Sequence, residues 1–294
     1  MSKHICTRWA FDLASWKPTL SQLSQAVALI QPEERVRLMK FHFIDDFLSS
    51  LIGRLLMRKY VSTCSGLELH QVKFARDVRG KPYWVREDIN GPPLSFNASH
   101  QGNMVLLAGI IGEANDPDFG IGADVMKIEY SGGKSLAEFF RLMNRKFSAQ
   151  EWKHICRVEH NEREQVKAFM RHWCLKEAYV KELGVGITVD LEKISFSVDT
   201  THPLEEKVTP LVGTSLRCHD KPMDNWHFEE HLLQEEYCAA IAFRNCLPPD
   251  HGRFKFLRIE ELLVTSPESE LEEVQSYCRK ALLKPYKRSQ KNKE

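Results

Sequence analysis

An α+β fold is predicted by three features of the sequence. Apolar residues recur at helical spacing in some blocks and in short strand-like runs in others. Gly, Pro and Asn clusters punctuate the runs. The rhythm of helices followed by strands occurs on both sides of Asn115-Asp116-Pro117-Asp118, the best candidate for a boundary between halves. Largely antiparallel pairing is expected. The division read from this is 1–118, 119–246 and a C-terminal appendage 247–294.

Leu20, Leu23, Val27 and Ile30 fall at helical steps. Pro32 stands where a second helix restarts, with Glu33 and Glu34 in its first turn, where negative charge meets the positive helix end. Residues 44–61, with Phe47, Leu51, Leu55 and Leu56, predict a longer helix that stops near Gly66. Strands are expected at 72–75 and 83–85, around the turn Arg79-Gly80-Lys81-Pro82. Asn90-Gly91-Pro92-Pro93 breaks the chain before strands at 94–99, 104–111 and 119–126.

Helix signals follow at 135–146, and Ser148 with Glu151 has capping-box spacing ahead of Trp152. A long helix is predicted from about 161 to 183, ending at Gly184. Further strands are expected near 191–198, 211–218, 226–230 and 237–243. After Cys246-Leu247-Pro248-Pro249 come a strand-like piece around 254–259 and a helix beginning near Pro267. The Lys- and Arg-rich stretch 284–294 reads as a disordered tail.

Composition narrows the function. Charged residues make up 28% of the chain but sum to +1, which argues against a general nucleic-acid or membrane-surface binder. No apolar run is long enough for a membrane span, and no secretory apolar core follows Met1, so a cytosolic setting is expected. The eight cysteines are scattered without a C-x-x-C pair, which fits free thiols. Phosphate loops of the Walker type, G-x-G-x-x-G and G-x-S-x-G are not seen.

Four segments carry candidate chemistry. In Arg76-Asp77-Val78-Arg79-Gly80-Lys81-Pro82, three cations surround a glycine turn and can grip phosphate oxygens; read alone, it is also an ordinary solvated hairpin tip. Phe96-Asn97-Ala98-Ser99-His100-Gln101 ends an apolar strand in polar side chains that can bond a phosphate or order a metal-bound water, or simply satisfy a strand end. Asp124 lies inside the apolar run 120–127, where a carboxylate requires a cation or several donors. In 173–181, helical geometry puts Glu177 and Lys181 one turn apart on one face, the spacing also of a plain surface ion pair. His154 with Cys156, or His172 with Cys174, has a spacing that points each pair apart on a helix, which disfavours zinc. Two carboxylates and several phosphate-binding cations match a magnesium site for a pyrophosphate-bearing substrate.

The order G-A-D-V-M-K (122–127), then W-C-L-K-E-A-Y-V-K (173–181), resembles the paired signature of the Sfp-type 4′-phosphopantetheinyl transferases. R-G-K-P (79–82) and N-A-S-H-Q (97–101) are similar to that family's coenzyme A segments. R-W-A-F (8–11), Q-P-E-E-R (31–35) and E-F-F-R-L-M-N-R-K-F (138–147) resemble its animal members, those acting with aminoadipate-semialdehyde dehydrogenase. The resemblance implies two similar α+β halves related by pseudo-twofold symmetry, with the active site in their cleft. It implies Mg²⁺-dependent transfer of phosphopantetheine from coenzyme A to a serine of an apo carrier protein, releasing 3′,5′-ADP. Expected carriers are those of fatty-acid synthase and aminoadipate-semialdehyde dehydrogenase, and a monomer is expected.

The resemblance implies site roles too. Asp124 and Glu177 match the metal ligands, Glu177 doubles as proton acceptor, and Lys181 meets the departing ADP oxygen. Arg37, Arg76, Arg79 and Lys81, with Asp77, Val78 and Gly80, belong to the nucleotide-phosphate segment. Asn97, Ala98, Ser99 and His100 line the coenzyme A pocket. Where bacterial relatives carry a third carboxylate, this chain has Met126, a poor ligand for a hard cation, so Gln101 or a water completes the shell. A catalytically inactive carrier-binding module of the same fold is the alternative.

Overall fold

The computed structural model describes residues 5–86, 92–112, 118–186, 189–206, 209–264 and 268–287. In chain order the elements are β1 (Ile5–Asp12), α1 (Leu20–Ala28), α2 (Pro32–Met39), α3 (Ile44–Ser65), β2 (Phe74–Arg76), β3 (Pro82–Trp84), β4 (Leu94–Gln101), β5 (Met104–Ile111) and β6 (Gly120–Lys127). They continue with α4 (Leu136–Leu142), α5 (Ala149–Ile155), α6 (Glu162–Leu183), β7 (Ile194–Ser197), β8 (Ser215–Cys218), β9 (Lys221–Pro222), β10 (Trp226–Leu233), β11 (Tyr237–Arg244), β12 (Lys255–Phe256), α7 (Ile259–Leu262) and α8 (Glu268–Leu282). The mixture is α+β, as predicted. Two compact units divide it: Met1–Arg8 with Pro92–Gln101 and Ala108–Arg253, and Trp9–Gly91 with Gly102–Leu107 and Phe254–Glu294.

In the first unit, three strands form an antiparallel sheet in the order β10–β11–β6, with Asp124 opposite Ala240. The β10–β11 hairpin turns through Gln234 (φ 51°) and Glu235 (φ 56°), both left-handed, as a turn matched to strand twist requires. The long helix α6 forms where expected. Asn161 and Glu164 make a capping box, and Gly184 (φ 64°) closes the far end. Its apolar face joins an aromatic core in which Phe169 lies 5.0 Å from Phe147 and 5.4 Å from Phe140, ring centre to ring centre. Burial of that aromatic and aliphatic surface is the dominant favourable term for this unit.

Helix α6 also lies on β6 at a distance only glycine permits. A Cβ on Gly122 would stand 2.0 Å from the Ala178 carbonyl oxygen and 2.7 Å from the Glu182 nitrogen. On the other side of β6, strand β4 makes a comb. Ser95 Oγ accepts from Ile121 N–H at 3.1 Å, Asn97 Oδ1 from Ala123 N–H at 3.3 Å, and Gln101 Oε1 from Lys127 N–H. Each pair is separated by 26 residues, so the two strands run parallel and every second β4 side chain points at β6.

In the second unit, α1 starts with a Thr19/Gln22 capping box and buries Leu23 and Val27. Helix α3 is buried on most of its surface, covering Phe47, Leu51, Ile52, Leu55 and Tyr60. Helix α8 packs Val274, Cys278 and Ala281 inward, and Tyr277 Oη donates to the Arg35 carbonyl at 2.6 Å. Lys284 Nζ reaches the Met39 carbonyl at 2.9 Å, and Ile44 N–H bonds the Pro285 carbonyl at 3.0 Å. The described residues after Phe254 are therefore built into this unit. Strand β12 pairs with β1 in parallel, Trp9 opposite Lys255.

Three strands are shorter than expected, for local reasons. At 191–193 the Asp190 side chain accepts from Glu192 N–H and winds a 3-10 turn before β7. Leu211 makes only an isolated bridge to Glu230, ahead of β8. Past β12, an Arg258/Glu261 capping box starts α7. The breaks at Asn90-Gly91 and 115–117, the helix start at Pro267, and tail residues 288–294 lie outside the described residues. No helix among the described residues is long and apolar enough to cross a membrane.

Candidate active site

The residues singled out in the sequence divide between the units. Asn97, Ala98, Ser99, His100, Gln101, Asp124, Glu177 and Lys181 fall in the first; Arg37 and the turn 76–82 fall in the second.

In the first unit, Asp124 sits mid-strand on β6, only 4% exposed. Ser99 Oγ donates to Asp124 Oδ1 at 2.7 Å. Lys181 Nζ, from the last turn of α6, donates to the same Oδ1 at 2.5 Å and to Ser99 Oγ at 2.6 Å. The other oxygen, Asp124 Oδ2, is buried with no hydrogen-bond partner among the described residues. A buried carboxylate oxygen in that state is costly unless something binds it. Glu177 stands one helical turn before Lys181. Burial and the negative charge of Asp124 push its pKa up, against the opposing pull of Lys181, so the two carboxylates feel each other's charge. An all-oxygen donor set with one orphaned oxygen suits a hard divalent cation, and the fit with Mg²⁺ is chemically sound.

The N-A-S-H-Q segment separates by strand alternation. Asn97, Ser99 and Gln101 face β6, whereas His100 is exposed on the opposite face of β4. Asn97 and Gln101 both use a side-chain carbonyl oxygen to accept from a β6 backbone amide. Met126, at the place of a third carboxylate, is partly buried against the aromatic core.

In the second unit, residues 76–82 form a tight turn between β2 and β3. Asp77 Oδ1 accepts from Arg79 N–H (2.9 Å) and Lys81 N–H (2.8 Å), and Gly80 (φ 85°) supplies the left-handed residue. Asp77 therefore shapes the turn with its side chain, and Val78 points fully into solvent. Arg76 Nη1 donates to the Gly80 carbonyl at 2.7 Å. Arg37, on the last turn of α2, is 52% exposed.

Sequence reasoning missed several supports. Lys176, next to Glu177, is 1% exposed and pairs at 2.9 Å with Glu151, itself fully buried; it also bonds the carbonyls of Leu191 (2.8 Å) and Ile194. The Ser148/Glu151 capping box was legible, but nothing local signalled its burial. Arg171 grips Glu230 at 2.5 and 2.9 Å. His154 Nδ1 and His172 Nε2 meet at 2.9 Å, while the Cys174 thiol turns to the Cys238 carbonyl at 3.5 Å. Helix-to-helix approach, not spacing along one helix, brings the histidines together.

Two family models match the chain: 4′-phosphopantetheinyl transferase, N-terminal, over residues 14–112, and the 4′-phosphopantetheinyl transferase superfamily over residues 120–242. L-aminoadipate-semialdehyde dehydrogenase-phosphopantetheinyl transferase of Mus musculus is 35% identical over 248 residues, covering 84% of this chain and 76% of that protein. Its Xenopus laevis counterpart is 33% identical over 270 residues, covering 88% and 86%. A phosphopantetheinyl transferase of Thraustochytrium is 33% identical over 239 residues, covering 80% and 77%.

Proposed function

The chain belongs to the 4′-phosphopantetheinyl transferase superfamily, and from that membership we propose that it moves the phosphopantetheine arm of coenzyme A onto a serine of an apo carrier protein in a Mg²⁺-dependent reaction. The observation that carries this reading at the level of residues is the buried Asp124, with its unpartnered Oδ2, beside Glu177 and Lys181. Asp124 and Glu177 would hold the ion. The chemistry it supplies when bound is neutralisation and alignment of the pyrophosphate oxygens.

The carrier serine oxygen forms the new bond to the phosphorus bearing the pantetheine arm, and the bond from that phosphorus to the bridging oxygen breaks. The serine proton passes to Glu177, directly or through water. Glu177, half-buried beside Asp124, is the carboxylate set to take it. The released 3′,5′-ADP carries away the developing charge, met by Lys181, whose ammonium already sits in a field set by Asp124 and Ser99. Arg37, Arg79 and Lys81 would hold nucleotide phosphates. The carriers of fatty-acid synthase and aminoadipate-semialdehyde dehydrogenase are the acceptors to try first.

The test is transfer of labelled pantetheine from coenzyme A to purified apo carriers. Label is expected in the carrier with Mg²⁺ and none with EDTA. Glu177→Gln is expected to slow turnover about 10²- to 10⁴-fold with melting unchanged. Absence of transfer to several apo carriers would replace this reading with that of a carrier-binding module without activity.

A further inference from the structure

The segment Gln31-Pro32-Glu33-Glu34-Arg35 has no place in the chemistry above, yet its side chains reach the turn assigned to the nucleotide phosphates. Gln31 is the residue before α2, and its amide makes no bond to the helix it precedes. It spends both ends on one residue of β2 instead. Nε2 donates to the Phe74 carbonyl at 3.1 Å, and Oε1 accepts from Phe74 N–H at 2.7 Å. A side-chain amide thus does for this three-residue strand what a neighbouring strand would do.

One turn along α2, Glu34 does the same for a side chain. Its two oxygens accept separately from Arg76, Nε at 3.0 Å and Nη2 at 2.8 Å, in a bidentate fork. Arg54 Nε, from α3, bonds the same carboxylate, and Arg37 Nε stands 3.9 Å away. Burial raises the pKa of Glu34, but Arg76 and Arg54 outweigh it and hold it below the ordinary range, so the carboxylate is charged whenever the protein is folded near neutrality. One anion therefore gathers three arginines that would otherwise repel.

The consequence falls on Arg76. Three of its donors are engaged: two by Glu34 and one by the Gly80 carbonyl. Its guanidinium links α2 to the tip of the turn, and the cations beyond it, Arg79 and Lys81, are presented from a braced loop. A turn fixed in advance loses less freedom when an anion binds.

We propose that Gln31 and Glu34 are positioning residues that clamp β2 and Arg76, so that the turn 76–82 is set for coenzyme A before it arrives, and that Arg76 acts mainly as the brace of that turn. This rests on the reading of the turn as a coenzyme A site. The clamp acts on donor binding and leaves the transfer step alone.

The test is calorimetric titration with coenzyme A and steady-state transfer by the full chain, comparing wild type with Glu34→Gln, Gln31→Ala and Glu33→Gln. Glu33 is exposed in the same helical turn and serves as the control for lost charge. Glu34→Gln is expected to raise both Kd and KM for coenzyme A about 10- to 100-fold, the cost of one lost charge-assisted fork. The kcat and the KM for the carrier stay within a few-fold, and Glu33→Gln behaves as wild type. Should Glu34→Gln fail to melt cooperatively, Gln31→Ala, which removes no charge, carries the same expectation with a smaller rise. Wild-type binding with unchanged affinity in the folded variants overturns the clamp alone. An equal loss of kcat overturns it in favour of a general structural role. A wild type that neither binds coenzyme A nor transfers overturns the functional reading and the clamp together.

Discussion

Lys176 and Glu177 are neighbours on one helix and face opposite demands. Lys176 is sealed inside at 1% exposure, opposite a fully buried Glu151, with two backbone carbonyls taking its remaining donors. Burying a charge pair is tolerable only when every donor is met, and removing one partner leaves the other stranded. Lys176→Ala is expected to cost about 3–5 kcal/mol, read as a fall in the urea midpoint; a midpoint within error of wild type would show that the pair does not hold α6. Glu177 is half-buried and feels Asp124, so Glu177→Gln should alter chemistry with little effect on that midpoint. Adjacent charged side chains therefore separate into a buried support and a half-buried group that the proposed reaction uses.

At the level of elements, the site depends on how closely α6 lies on β6. Glycine at position 122 lets the helix backbone approach, which carries Lys181 to Asp124 across 57 residues of chain. The obstruction to a Cβ there is backbone, which cannot rotate away. Gly122→Ala is expected to destabilise by about 1–3 kcal/mol, and to lower kcat by about 10²-fold through displacement of Glu177 and Lys181. Thermal melting and turnover measured together check this; a variant with wild-type kcat would mean the helix position is not what sets the geometry. Strand β4 holds β6 from the other side through Ser95, Asn97 and Gln101. Part of the N-A-S-H-Q segment thus braces β6, and Ser99 reaches the Asp124 carboxylate itself.

Across the whole molecule, stability should fall in acid in two stages. Burial pushes the His154 pKa down to about 3, helped by the neighbouring His172 and Arg171. The unfolded chain protonates that histidine near its ordinary value of about 6.5, so its contribution is complete above that pH and drains as pH falls toward 3. Glu229, where burial acts upward but His231 and Arg8 prevail, is held to about 2, and Glu34 and Glu151 are also lowered. These carboxylates contribute fully above about pH 4.5 and lose that contribution below it. Urea midpoints are expected to be level above pH 7, to decline below 6.5 and to decline faster below 4.5; a level profile down to pH 5 would show that His154 is not held neutral. Helix positions, the capping spacing at Ser148, the helix start near Asn161 and the stop at Gly184 were readable because spacing and capping are local. The strands at 191–198 and 211–218 were misjudged in length because a side-chain bond from Asp190 and a single bridge from Leu211 decided them. With 41 cations and 40 anions, composition leaves open which charges meet. Local pattern therefore determined the elements and the residue types able to do phosphoryl chemistry. Only the tertiary structure decided that Lys181 bonds Asp124, that Glu34 gathers Arg54 and Arg76, and that Lys176 goes inside, because charge pairing follows distance through space in a water-poor interior and not separation along the chain.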